Sequence, residues 1–169
     1  MLLAILLAAA YVAYLYLLKP AAPVADTITV YYCKTDGETL VPWKVTMGVP
    51  RQPDPAASAV DYRSRVAIYA TAQVLAGPPS GTEAIRFPSG TVARSVVVSG
   101  ANATVDLVGP ITSAQEGSFA ESGEFKALVW SLTALPGIKT VAIEINGARV
   151  PTLPGGHLEL DRPLARSSW

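Results

Sequence analysis

The sequence predicts an α+β domain: a two-layer sandwich of order β-β-α-β-β-α-β with a short terminal strand, its two helices packed on one face of a mostly antiparallel sheet. Three observations predict it. Runs such as "TITVYYC", "TVARSVVVS" and "TVAIEI" are β-branched and alternate in polarity, as strands do. Two longer stretches change to a helical repeat. Turn signals separate them, of which Asn146-Gly147 is the strongest two-residue hairpin signal.

The elements follow in order. "MLLAILLAAAYVAYLYLL" carries no charge before Lys19-Pro20 and, as a helix, would extend about 26 Å, close to a bilayer's hydrocarbon thickness. Residues 1–19 therefore read as an N-terminal transmembrane helix, with Tyr11, Tyr14, Tyr16 and Lys19 suited to the water interface. A cleaved secretory signal is the competing reading; the absent basic n-region and the placement of Pro20 and Pro23 speak against it. Residues 20–26, "PAAPVAD", are a tether stiffened by prolines. The folded domain is expected over 27–164, with 165–169 as a tail.

Within the domain, "TITVYYC" turns at Asp36-Gly37 into "TLVPWKVT", where Pro42 places the second strand at an edge or bulge. From about Ala56 a helix is expected, with Tyr62, Val66, Ala70 and Val74 on one stripe and a stop at Gly77-Pro78-Pro79. "TVARSVVVS" and "ATVDL" form a hairpin around Gly100 to Asn102. The second helix is expected from Ser118, where Ser118-x-x-Glu121 has capping-box spacing, with Phe125, Leu128, Val129, Leu132 and Leu135 toward the core. "TVAIEI" and "ARV" flank the Asn146-Gly147 turn, and the remaining tail is rich in turns.

Charge excludes some functions. Thirteen basic residues balance thirteen acidic ones without a long run of either, so no footprint for nucleic acid appears. Pro-Ser-Gly-Thr occurs twice, at Pro79 to Thr82 and at Pro88 to Thr91, and has the glycines and hydroxyls of a phosphate loop. However, the glycines follow a helix and precede a strand, and no Gly-Lys-Ser or Gly-Lys-Thr occurs. Both copies read as turns. Ser80 and Ser89 lack a nucleophile elbow, and the single histidine, His157, reads as a surface residue rather than their base. No catalytic residue is assigned.

One cysteine and one histidine give no zinc spacing, so neither metal nor cofactor is assigned. Cys33 reads as a small buried strand residue. Glu116, Glu121 and Glu124 read as a solvated helix face. Asp106, an acid in an apolar strand, reads as structural, facing water from the sheet. Asn102-Ala103-Thr104 fits a glycosylation acceptor, and Asn102 is equally explained by tolerance of positive φ in a turn.

"AIYATAQVLAGPPSGTEAIRFPSGTVARSVVVSGANATVDL" and "EFKALVWSLTALPGIKTVAIEINGARV" together resemble the GerMN domain family of spore-germination and bacterial envelope proteins. The resemblance spans roughly Thr27 to Leu164 and rests on the order of the motifs. It implies an extracytoplasmic domain behind a membrane segment or lipid anchor, without known catalytic residues, and a fold similar to the ring-building domains of secretion-type assemblies. Two departures limit it: the chain has room for one domain where the spore protein carries two, and it has no lipidation cysteine at the anchor.

The expected function is a membrane-anchored, non-enzymatic interaction or scaffolding module of the cell envelope, linked to sporulation, germination or cell-wall assembly. Its partners would be membrane lipid through residues 1–19 and envelope proteins or a second copy. The alternative is a peptidoglycan- or small-ligand-binding domain with Trp43, Trp130 and Trp169 as stacking platforms, although Trp130 reads as core. A third reading is an enzyme using His157.

Overall fold

The structure is a computed structural model that describes residues 26–48, 62–113, 117–154 and 156–169. Residues 1–25, including the expected anchor, lie outside these, as do 56–61 of the expected first helix and Glu116. Among the described residues, no helix is long and apolar enough to cross a membrane.

β1 (Asp26–Cys33) and β2 (Leu40–Met47) form an antiparallel hairpin, with Asp26 opposite Met47 and Cys33 opposite Leu40. Its turn is held by Asp36, whose Oδ1 accepts from the N–H groups of Glu38 (2.9 Å) and Thr39 (2.8 Å). Pro42 lies in β2, which is paired on one side only, as a residue without an N–H requires. α1 (Tyr62–Ala76) buries Val66, Ala70 and Val74 as their spacing predicts. It ends at Gly77, whose φ of 76° and bonds to Gln73 O and Val74 O close the last turn.

β3 (Val92–Ser99), β4 (Asn102–Val108) and β5 (Thr140–Ile145) form a second sheet in that order. β3 and β4 are antiparallel with a bulge at Arg94, whereas β4 and β5 are parallel. The sequence reading of one sheet is corrected to two, while the pairing stays mostly antiparallel, with β4 and β5 as the parallel exception. α2 (Ser118–Thr133) carries the chain back from the end of β4 to the start of β5, and a helical crossover joins parallel strands. The hairpin does not join that sheet; β1 instead lies along α2, its Tyr31 N–H donating to Ser131 Oγ at 2.7 Å.

One apolar cluster joins the parts. Val96, Val98, Val105, Leu107, Val141 and Ile143 line one face of the sheet, and Phe125, Leu128 and Leu132 of α2 are fully buried beside them. Phe125 meets Phe87 edge-on at 5.6 Å between ring centroids. Ser118 is the first residue of α2 and Gly117 its N-cap, so the expected capping box does not form. The Asn146-Gly147 turn forms as predicted, with φ of 54° and 79°, but the terminal strand reduces to single bridges, Ile145 with Ala148 and Val141 with Leu164.

Candidate functional site

Pro-Ser-Gly-Thr makes the same turn twice. Thr82 N–H donates to Pro79 O (3.2 Å) and Thr91 N–H to Pro88 O (3.0 Å), with Gly81 and Gly90 at φ of 84° and 90°. Positive φ at the third position is the type II requirement, which glycine meets without a Cβ penalty. Arg86 ties down the first turn, reaching Pro78 O, Pro79 O and Thr82 O. The intervening segment runs beside the hairpin through Ile85 N–H to Cys33 O at 2.9 Å.

The second turn lies against the end of β4. A Cβ on Gly109 would fall 2.7 Å from Gly90 O, so backbone packs on backbone there. Between this turn and α1 lies an open groove of about 520 Å³, lined by Ile68, Ala72, Leu75, Phe87, Thr91 and Val92. Ile68 and Val92 are partly exposed at 41% and 53%, and Val97 farther along β3 at 55%. β3 is the outer strand of its sheet, and α1 covers this edge at Val98, whose N–H donates to Ser64 Oγ at 3.0 Å. An apolar groove beside an outer strand is the chief candidate surface.

The polar residues singled out in the sequence do other work. Ser80 and Ser89 are exposed in their turns, and His157 is exposed on the tail. Cys33 is buried, and burial pushes its thiol pKa up, against the opposing pull of Lys126. Asp106 is 3% exposed rather than facing water: it accepts from Arg94 Nε at 2.6 Å and from Gly147 N–H at 2.8 Å, fixing the Asn-Gly turn to the sheet. Asn102 Nδ2 donates to Thr104 Oγ1 and its Oδ1 accepts from Thr140 Oγ1, so it spans β4 and β5. The positive φ of its hairpin belongs to Gly100.

Glu121 and Glu124 are each 1% exposed, which corrects the reading of a solvated face. Glu121 Oε2 accepts from His157 N–H at 2.8 Å, and a Cβ on Gly156 would lie 2.5 Å from its Oε1. This carboxylate therefore receives the tail, and a glycine at 156 makes the approach possible. The pairing joins positions 36 apart in sequence, so the acid spacing within α2 gave no sign of it. No group of three or more potential metal-ligating side chains occurs among the described residues.

The tryptophans are partly buried. Trp130 meets Trp169 edge-on at 5.6 Å, and Lys126 Nζ and the Arg166 guanidinium lie 5.9 and 5.7 Å from the Trp130 ring centroid. Its π system is already engaged by the chain's own cations. Trp43 packs from β2 against the core.

The Germane family, described as sporulation and spore germination, matches residues 29–151. The chain belongs to the Germane family. A single GerMN-like domain accounts for the whole match. No curated protein matches the chain significantly. Among solved structures it is similar to the tandem GerMN domains of the sporulation protein GerM from Bacillus subtilis, with 18% identity and a TM-score of 0.59, covering 89% of this chain and 49% of that one. The chain thus spans about half the length of that tandem structure. A candidate lipoprotein from Clostridium perfringens is similar at 15% identity and a TM-score of 0.58, over 88% and 94% of the two chains. The first GerMN domain of GerM is similar at 18% and 0.55, over 84% and 98%. At these identities the likeness of the Germane domain to these structures speaks for the fold.

Proposed function

We propose that this Germane domain is a non-enzymatic interaction and scaffolding module of the bacterial cell envelope, held at the membrane through residues 1–19 with its folded part outside the cytoplasm. The observation that carries this reading is the partly exposed apolar surface of Ile68, Val92 and Val97 around the groove and the outer strand β3. Apolar patches of this kind are costly to leave in water and mark places where another protein sits. Family membership supports a process in sporulation or germination. The buried acids support it as well, since Asp106 and Glu121 hold loops in place rather than facing a cleft.

The test is cross-linking of the full chain in its native membranes, followed by mass spectrometry, with Val92→Asp and Val97→Asp as comparisons. A partner or second copy captured by the unaltered chain and reduced at least about fivefold by either substitution is expected, because a charge desolvated at an interface costs more than about 1 kcal/mol. Equal capture by all three chains would remove this surface from the reading. Capture of nothing above background would sink the reading itself.

A further inference from the structure

The tail beyond the Asn-Gly turn is a strap with a defined seat. Its Leu164 exchanges both backbone hydrogen bonds with Val141 on the outer edge of β5, at 2.7 and 2.8 Å. His157 N–H reaches Glu121 of α2, Arg166 Nε donates to Thr133 Oγ1 (2.9 Å), and Trp169 Nε1 donates to Ser122 Oγ (2.9 Å). Leu160 and Leu164 are buried to 0% and 2% exposure. The matched family region ends at residue 151, before the strap begins.

Three features make this seat exchangeable. The strap holds the β5 edge through a single residue pair rather than a ladder, so little backbone pairing is broken on release. Its partners on β5 and α2 can be met equally by the strap of another molecule, and the bond given up on opening the hinge is that from Leu160 N–H to Pro151 O at 2.7 Å. The connection to the strap carries Pro151, Pro154 and Gly156, a short proline-containing hinge of the type that invites exchange. We propose that residues 157–169 act as an exchangeable strap that seats in trans on β5 and α2 of a second copy, producing a reciprocal dimer. This inference rests on the self-associating form of the interaction reading, in which two copies anchored in one membrane meet at raised effective concentration.

The experiment uses full-length chains in liposomes, with buried Cys33 replaced by alanine so that no native thiol competes. One chain carries Val141→Cys and the other Leu164→Cys; these two positions are directly paired and suit a disulfide. A chain carrying both substitutions is the internal standard and must close within itself. After co-reconstitution and oxidation, the mixed single variants are expected to yield about tenfold more cross-linked dimer than a mixture of Leu164→Cys with Lys44→Cys, whose cysteine lies exposed on β2, outside both the seat and the groove. A yield no higher than that collisional mixture, with the double variant closed, overturns exchange while leaving partner capture by the groove untouched. Failure of the double variant to close overturns it too, because the strap then does not occupy this seat.

Discussion

Pro79 to Thr82 and Pro88 to Thr91 are the same four residues folded into the same hydrogen-bonded turn, yet they differ in everything around them. A Cβ on Gly81 would meet nothing within 4 Å, whereas one on Gly90 would meet Pro110 at 3.6 Å and one on Gly109 would press on the Gly90 carbonyl. Thr82 is half-buried, and Thr91 is 6% exposed with an Oγ1 that has no hydrogen-bond partner. Local sequence therefore decides the shape of the turn, because proline and a positive-φ glycine suffice for it. What surrounds the turn decides how much of the fold depends on it.

The largest expected effect attacks the seat of the second turn. Gly109 sits at φ of 95° and a Cβ would press on the Gly90 carbonyl at 2.7 Å, so Gly109→Ala combines backbone strain with a clash between two main chains. It is expected to cost about 2 to 5 kcal/mol in urea unfolding. A loss below about 1 kcal/mol would show that the approach of Gly109 to Gly90 relaxes at little cost and that the second turn is not tightly seated. Next come the glycines of the turns themselves. Gly81→Ala has open space and should cost only the conformational strain, about 1 kcal/mol, and Gly90→Ala the same amount or slightly more, since its Cβ meets Pro110 at an ordinary 3.6 Å. If Gly81→Ala proved neutral while Gly90→Ala did not, the positive φ would be dispensable in the exposed copy.

A smaller effect has the opposite sign. Thr91→Val replaces a buried, unpartnered hydroxyl with a methyl of similar shape and should stabilise the chain by about 1 kcal/mol. Thr82→Val, in the more open copy, should stay within about 0.5 kcal/mol of the unaltered chain. Destabilisation by Thr91→Val would mean that its hydroxyl is satisfied by a buried water, and the contrast between the two copies would narrow.

The same division separates what was legible in the sequence from what was not. Both turns, the Asn146-Gly147 hairpin, the buried stripe of α1 and the apolar face of α2 are set by neighbours a few residues apart, and all were readable. The parallel pairing of β4 with β5 was missed although its signal was present, since a helix between two strands is the pattern of a parallel crossover. Separation of the hairpin from the main sheet had no local signal, because it depends on β1 finding Ser131, 100 positions away. The buried acids failed for the same reason. Glu121 and Asp106 look like surface residues until the tail and the Asn-Gly turn bring N–H groups to them. The candidate surface was equally hidden, as Ile68 and Val92 lie 24 positions apart and meet only across the groove.

The smallest effect concerns a third turn, which sharpens the comparison by being held with charge. Asp36 accepts two backbone N–H bonds and one from Thr39 Oγ1 at 2.6 Å, and the Thr39 hydroxyl, followed by the Thr39 and Glu38 N–H groups, lowers its pKa from 3.8 to about 2. A carboxylate with a depressed folded pKa contributes stability above its unfolded value, and that contribution disappears as pH falls through the folded one. The difference in Tm between the unaltered chain and Asp36→Ala should therefore be constant above about pH 4 and shrink between about pH 4 and pH 2. The Pro-Ser-Gly-Thr turns contain no titratable group, so the Tm differences for Gly81→Ala and Gly90→Ala should not change over that range. Because Asp36 is fully exposed, the effect is small and screened by salt, and repeating the titration at high ionic strength should reduce only its coulombic part, from Lys34. A difference for Asp36→Ala that stays flat down to pH 2 would mean that the hairpin turn is held by its backbone geometry and not by the charge on its carboxylate.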